Sequence, residues 1–223
     1  MGLNDLLNFD KNLSKSYTNC LFIGIDEVGR GALAGPVIAC AFSWKRSTYS
    51  KIRNTNLLKL NDSKQLTREE REELYESLIQ FGDYCLGYAS VLEIEKLNIL
   101  NATFLAMKRA YDGLINNFTS DNKKDTCVLI DGNKFNPFIN SLQLPVIGGD
   151  AKSSLIASAS IIAKVYRDSL MCKLSELKKY KKFGWNKNVG YGTSIHMNAI
   201  RKNGATPFHR QLFLRKLRAV TKV

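Results

Sequence analysis

Three apolar runs in the sequence end in carboxylates: FIGIDE closes on Asp26 and Glu27, VLIDG on Asp131, and VIGGD on Asp150. Short apolar runs predict buried strands, and in α/β sheets ligand-handling side chains gather beyond strand ends, where loops begin. Brought together there, the acids would repel and raise one another's pKa unless a divalent cation neutralised them. Oxygen ligands without His or Cys select Mg²⁺ or Mn²⁺. Two such ions about 4 Å apart activate a water and stabilise the leaving oxygen in phosphodiester hydrolysis. Each acid also has a plain structural reading. Asp150 could cap a following helix, Asp131 before Gly132 and Asn133 could make an Asx turn, and Asp26 and Glu27 could cap a turn.

The composition narrows the choice. Lys and Arg number 33 against 20 Asp and Glu, a formal charge of +13, which favours a polyanionic partner such as nucleic acid. The 2 histidines, His196 and His209, leave little for a histidine metal site or a serine-type triad, so hydrolytic chemistry falls to the carboxylates. The 5 cysteines are spread without a zinc-type pair and read as reduced thiols. With no basic-then-apolar leader and no apolar run near the roughly 20 residues that span a bilayer, a cytoplasmic protein without membrane attachment is expected.

The elements that must position the acids follow from periodicity. CLFIGID, PVIACAFSW and YCLGYASV read as strands able to form a meander, and TCVLID and LPVIGGD as two further buried strands. TREEREELYESLIQF opens with Thr67 and Glu70 at capping-box spacing and is a helix. NATFLAMKRAYDGLIN and AKSSLIASASIIAKVYRDSL carry apolar faces at helical spacing, and TSIHMNAIRKNG has Thr193 as N-cap and Gly204 past its end. Strands first, then strands mixed with helices, predict an α/β fold with a mixed sheet. Residues 1–20 are polar enough for a short, loose N-terminal arm, leaving one domain over residues 21–223.

GIDEVGRGALAGP resembles the first signature of ribonuclease HII, the type 2 ribonuclease H family. LNDSKQLTREEREEL, NILNATFLAMKRA, LIDGN, GGDAKSSLIASASIIAKVYRD and GYGTSIHMNAIRKNGATPFHR resemble further family blocks in the same order. The resemblance implies a ribonuclease H-like fold: a mixed five-stranded sheet flanked by helices, with a helical C-terminal region. It implies hydrolysis of the RNA strand of RNA/DNA hybrids, and incision on the 5′ side of single ribonucleotides embedded in duplex DNA. It makes Asp26, Glu27, Asp131 and Asp150 the metal-binding catalytic acids, with Asp26 shared between ions, and implies a monomer. Val28 stands where the family commonly has alanine, and Gly148 where many members have a basic residue. Arg30 and the short N-terminal segment favour HII over the related ribonuclease HIII.

Glycines let main-chain groups approach a sugar, so Gly29, Arg30 and Gly31 are expected to sense the ribose 2′-hydroxyl beside the acids. The resemblance gives Tyr191 of GYGT the role of packing on the ribonucleotide and choosing the RNA-to-DNA junction. Without it, the turn is only a turn and Tyr191 a loop anchor. Lys64, Lys152 and Lys164 are candidate phosphate contacts or else solvated charges. KLSELKKYKKFGWNKN interleaves lysines with Tyr180, Phe183 and Trp185, and either grips duplex or is a helix end followed by a loop. Asp168, four residues after Lys164, reads as that lysine's helix-face partner rather than a ligand. Two rival functions stand beside the nuclease of hybrids: a DNA nuclease or strand-transfer enzyme with the same acids, and a basic, non-catalytic nucleic-acid-binding module.

Overall fold

The computed structural model describes residues 2–45, 56–118 and 125–219. Helix α1 (Leu3–Ser16) precedes strands β1 (Leu21–Val28) and β2 (Val37–Trp44), then come α2 (Arg68–Phe81), β3 (Gly82–Ala89) and α3 (Val91–Asn116). Strands β4 (Thr126–Asp131) and β5 (Leu142–Val146) complete a five-stranded sheet of order β3-β2-β1-β4-β5. Strands β1, β2 and β3 run antiparallel as the expected meander, whereas β4 is parallel to β1 and β5 to β4. The mixed α/β sheet is therefore as expected. Helix α4 (Ser154–Glu176) covers one face, and α5 (Trp185–Asn188), α6 (Ser194–Asn203) and α7 (Gln211–Ala219) form the C-terminal region.

Alternation along the strands divides the core into two layers. Ile23 and Ile25 of β1, with Val37, Ala39 and Ala41 of β2, pack on α3 through Ala106, Met107 and Ala110. The opposite face, with Cys40, Phe42 and Trp44, packs on α4 and α1. Because both faces are covered, β2 is buried throughout, which its unbroken apolar run requires. Gly24 lets α4 close on β1: a Cβ there would stand 2.3 Å from the Leu155 carbonyl carbon. Small residues Ala157, Ser158, Ala159 and Ser160 on α4 continue that close seam.

Residues 3–16 are not the loose arm expected from their polarity. Leu3, Leu6 and Leu7 lie at helical spacing and are buried, and they are followed one turn on by the buried Asp10. The Asp10 carboxylate accepts hydrogen bonds from the Ser154 and Leu155 amides at 2.9 and 3.3 Å and from the Ser154 hydroxyl. Trp44 Nε1 donates to that same hydroxyl at 2.9 Å. An acid from α1 thus satisfies the orphan amides at the start of α4, where the helix dipole favours negative charge. Its other oxygen, Oδ1, is buried without a partner among the described residues, and burial pushes the Asp10 pKa up to about 6 despite the hydrogen bonds that oppose it.

A raised carboxyl pKa means that the folded chain binds this proton more tightly than the unfolded one. The Asp10 contribution is thus most favourable below about pH 4 and is lost as pH rises to about 6. Chemical denaturation of wild type and Asp10→Asn should show the variant gaining on wild type by up to roughly 3 kcal/mol across that window, then a constant difference above it. A gap independent of pH would show Asp10 titrating normally.

Candidate active site

Strand β1 continues three residues past its apolar run, to Val28, so Asp26 and Glu27 lie within the strand rather than at its end. The parallel pairing of Ile25 with Ile130 sets Asp26 beside Asp131, the next residue on each strand. β5 ends at Val146, earlier than its apolar run, and Gly148 turns the chain at φ 63°. Asp150 follows on a 3₁₀ turn, Gly149–Ala151, instead of ending a strand. It does not cap α4, whose N-cap is Ser153. Asp131 makes a longer-range link than an Asx turn: its Oδ1 accepts from the Gly149 amide at 2.7 Å, tying β4 to the Asp150 turn.

Asp26, Glu27 and Asp131 line one cleft of about 520 Å³ together with Val28–Gly31, Lys64, Arg71, Lys164 and Tyr191. Asp150 is buried just behind this wall and is joined to it by Lys64, whose ammonium lies 2.7 Å from Asp150 Oδ2. Arg71 secures the Lys64 loop by donating to the Ser63 and Leu66 carbonyls at 2.8 and 2.6 Å. The electrostatics are those of crowded acids. Burial, then the neighbouring Glu27 and Asp131, raise the Asp26 pKa well above the carboxylate range, although Ser160 and the Glu27 amide oppose them. Burial also raises Glu27, against a 2.9 Å ion pair with Arg30, and raises Asp131, with Asp150 adding to the effect. Lys64 is held protonated chiefly by Asp150.

Among the described residues, no three His, Cys, Asp or Glu side chains stand arranged to hold one ion as they are placed. The chain's own cations, Arg30 on Glu27 and Lys64 on Asp150, meet the acids instead. The donor set nonetheless fits a hard divalent cation, since every member is a carboxylate and burial leaves the charges short of solvent.

Of the other anticipated residues, Gly29, Arg30, Gly31, Tyr191, Lys64 and Lys164 border the cleft. Tyr191 lies beside Gly31, 4.0 Å from where a Cβ would stand, and beneath the Lys164 and Arg167 cations at 5.8 and 5.5 Å from its ring centre. Lys164 pairs with Asp168 at 3.0 Å, the helix-face partner expected. Lys152 is apart from the cleft wall, exposed and donating to the Ile147 carbonyl at 2.7 Å. Tyr180, Phe183 and Trp185 are not available to stack on a duplex, because they are buried in the core of the C-terminal region. Their neighbouring lysines are exposed.

Two further residues set this site, and the sequence reading gave them no role: Arg167 and Arg210, both fully buried. Arg167 donates to the carbonyls of Pro36, Val189 and Ala34 at 3.0, 2.9 and 2.9 Å. Arg210 donates to Gly35 O twice, at 3.0 and 2.8 Å, and to Arg30 O at 2.9 Å. The main chain adds Leu33 N to Gly190 O at 2.8 Å and Arg210 N to Leu33 O at 2.8 Å. The turn after β1 and the Tyr191 loop are thus stapled into one body. Burial lowers both guanidinium pKa values, Arg210 to about 9, with repulsion from Arg167 contributing.

The ribonuclease HII family model matches residues 23–216, which contain every element that bounds the cleft except the start of β1. The chain belongs to the ribonuclease HII family. It is an endoribonuclease acting on RNA/DNA hybrids. A ribonuclease HII of Fusobacterium nucleatum subsp. nucleatum is 48% identical over 197 residues, covering 87% of this chain and 86% of the relative. The ribonuclease H2 structure from Pyrococcus horikoshii OT3 superposes with a TM-score of 0.66 at 25% identity, covering 89% of this chain and 97% of that one. The structure of Bst-RNase HIII in complex with Mn²⁺ has a TM-score of 0.69 at 19% identity, covering 92% and 71%, and shares the fold. Family membership removes the non-catalytic module from the rival functions.

Gly29 marks where the ribonuclease HII turn is least tolerant. Its φ is +91°, and an added Cβ would lie 2.2 Å from Arg167 Nε. At Gly132, φ is +104° with nothing within 4 Å. Thermal and chaotrope denaturation should therefore show Gly29→Ala losing roughly 2–4 kcal/mol, through strain and a displaced buried donor, against about 1 for Gly132→Ala. Equal losses would mean that the Arg167 staple carries little.

Proposed function

We propose that this endoribonuclease incises duplex DNA on the 5′ side of a single embedded ribonucleotide, besides cutting the RNA strand of hybrids, and that it depends on Mg²⁺ or Mn²⁺. The observation that carries this reading is the shared cleft: Asp26, Glu27 and Asp131 line it together with the Gly29–Gly31 turn and Tyr191. Asp26, Glu27, Asp131 and Asp150 would hold the cation. A bound divalent ion would supply an activated water and charge neutralisation at the leaving oxygen.

The remaining work falls to the chain. The main chain of Gly29, Arg30 and Gly31 meets the ribose 2′-hydroxyl, and the Tyr191 ring packs on the sugar at the junction. Lys64 and Lys164 meet backbone phosphates from the cleft wall, a role that the placement of Lys152 does not support. Arg30 and Lys64, now paired with Glu27 and Asp150, would be free to meet phosphate if those acids held a cation instead. In-line attack by water leaves 5′-phosphate and 3′-hydroxyl ends, and the chain acts as a monomer. Arg30 favours this specificity over that of ribonuclease HIII.

Incubation with a duplex bearing one ribonucleotide should yield a single nick 5′ to it, lost on chelation and on replacement of the 2′-hydroxyl by hydrogen. Asp26→Asn and Asp131→Asn should each lower the rate by at least about 10³-fold with the fold intact by circular dichroism. Equal cutting of an all-DNA duplex would instead identify a DNA nuclease built on the same acids.

A further inference from the structure

The two histidines of the chain take no part in the chemistry above, yet both are buried and meet each other. His196 Nε2 lies 3.0 Å from His209 Nε2, in the core that contains Phe183 and Trp185. Neighbouring donors fix how each ring is protonated. The Thr206 amide donates to His209 Nδ1 at 2.9 Å, so a neutral His209 carries its proton on Nε2. The Trp185 indole N–H donates to His196 Nε2 at 3.0 Å, so that nitrogen is an acceptor and His196 carries its proton on Nδ1. The sequence of donors then has one direction. Thr206 donates to His209, His209 to His196, and His196 Nδ1 to the Tyr191 carbonyl at 2.9 Å.

The end of that chain is the residue beside the Gly29–Gly31 turn. The other main-chain hydrogen bonds of Tyr191 stay within its own loop: its amide donates to Asn188 O at 2.8 Å, and its carbonyl also accepts from Thr193 N at 2.9 Å. Gly190, on its other side, is tied to Leu33 and Ala34. The His196 ring ties the Tyr191 main chain to the core beneath it, alongside the Arg167 guanidinium over the Tyr191 ring, and burial lowers both imidazole pKa values, which favours the neutral rings that this tie uses.

We infer that His196 and His209 are positioning residues, a pair of imidazoles with fixed, opposite tautomers that orients Tyr191 against the substrate-facing turn. The inference rests on the reading of Tyr191 as the residue that selects the ribonucleotide junction. A pair that merely filled the core would respond to substitution according to size and stability; this pair responds according to which ring nitrogen is imitated.

In His196→Asn the amide NH₂ takes the place of Nδ1–H and keeps the donor to Tyr191. In His196→Gln the terminal amide imitates Nε2, facing Trp185 and His209, and leaves Tyr191 O without it. The preference for a lone-ribonucleotide duplex over a uniform RNA/DNA hybrid, taken as a ratio of kcat/KM, should fall at least tenfold in His196→Gln, toward the Tyr191→Ala value. It should stay within about threefold of wild type in His196→Asn, whichever variant melts lower. Equal ratios in the two His196 variants, with Tyr191→Ala still impaired, would overturn the relay and leave the role of Tyr191 standing. An unchanged ratio in Tyr191→Ala would overturn both. Should either variant fail to fold, long-range ¹H–¹⁵N spectra of the wild-type enzyme decide the matter on its two histidines. Nδ1–H on His196 with Nε2–H on His209 is expected, and any other pair of tautomers contradicts the relay.

Discussion

Burial of carboxylates beside one another is the constraint around which this molecule is organised. Desolvation first, and repulsion from neighbouring acids second, disfavours Asp26, Glu27 and Asp131 as anions, with Asp150 adding to the field at Asp131. A fold gains nothing in stability by keeping such a set, since apolar residues of similar size would pack there without the desolvation cost. What offsets the repulsion is local: amides from Glu27 and Gly149, the ammonium of Lys64 and the guanidinium of Arg30. All of these supply partial or full positive charge to the acids, as a bound cation would. The proposed cation would relieve that cost.

The second requirement is rigidity in a glycine-rich turn. A loop of this composition loses more conformational entropy on folding than most, so something must hold it. Here the fixing groups are two buried guanidiniums that have no carboxylate ion pair among the described residues and direct their donors to main-chain carbonyls, Arg210 to the turn and Arg167 to the turn and the Tyr191 loop. Carbonyl partners keep the stapled residues free of additional acids that would compete with Asp26 for cations. Acids and turn therefore share α4 as a support, to which the sheet is added for the former and the C-terminal block for the latter.

How much of this could be read from the sequence follows from the range of each interaction. The strand meander, the Thr67 and Thr193 caps and the two long core helices rest on local pattern, and the structure has them. The α1 helix was missed because its buried side is narrow, with Leu3, Leu6 and Leu7 set among polar residues and its fourth inward position an aspartate. Asp10 has a partner 144 residues away, which no local pattern reports. Arg167 and Arg210 look like surface cations in a strongly basic chain, and only the fold shows that they are buried. Tyr180, Phe183 and Trp185 among lysines misled in the opposite sense, since helix and turn spacing put the rings inward and the ammonium groups outward. Strand-end position singles out all four acids in the sequence, but not the 3₁₀ turn that places Asp150 behind Lys64.

The most direct test is calorimetric titration of Mn²⁺ into the enzyme without nucleic acid, comparing wild type with Asp26→Asn and Lys64→Met. If the crowded acids exist to receive a cation, wild type binds, Asp26→Asn binds at least tenfold more weakly, and Lys64→Met, relieved of its competing ammonium, binds more tightly. Unchanged affinity in Asp26→Asn would contradict the central claim, because the most buried and most strongly repelled of the cleft acids would then contribute nothing to the ion.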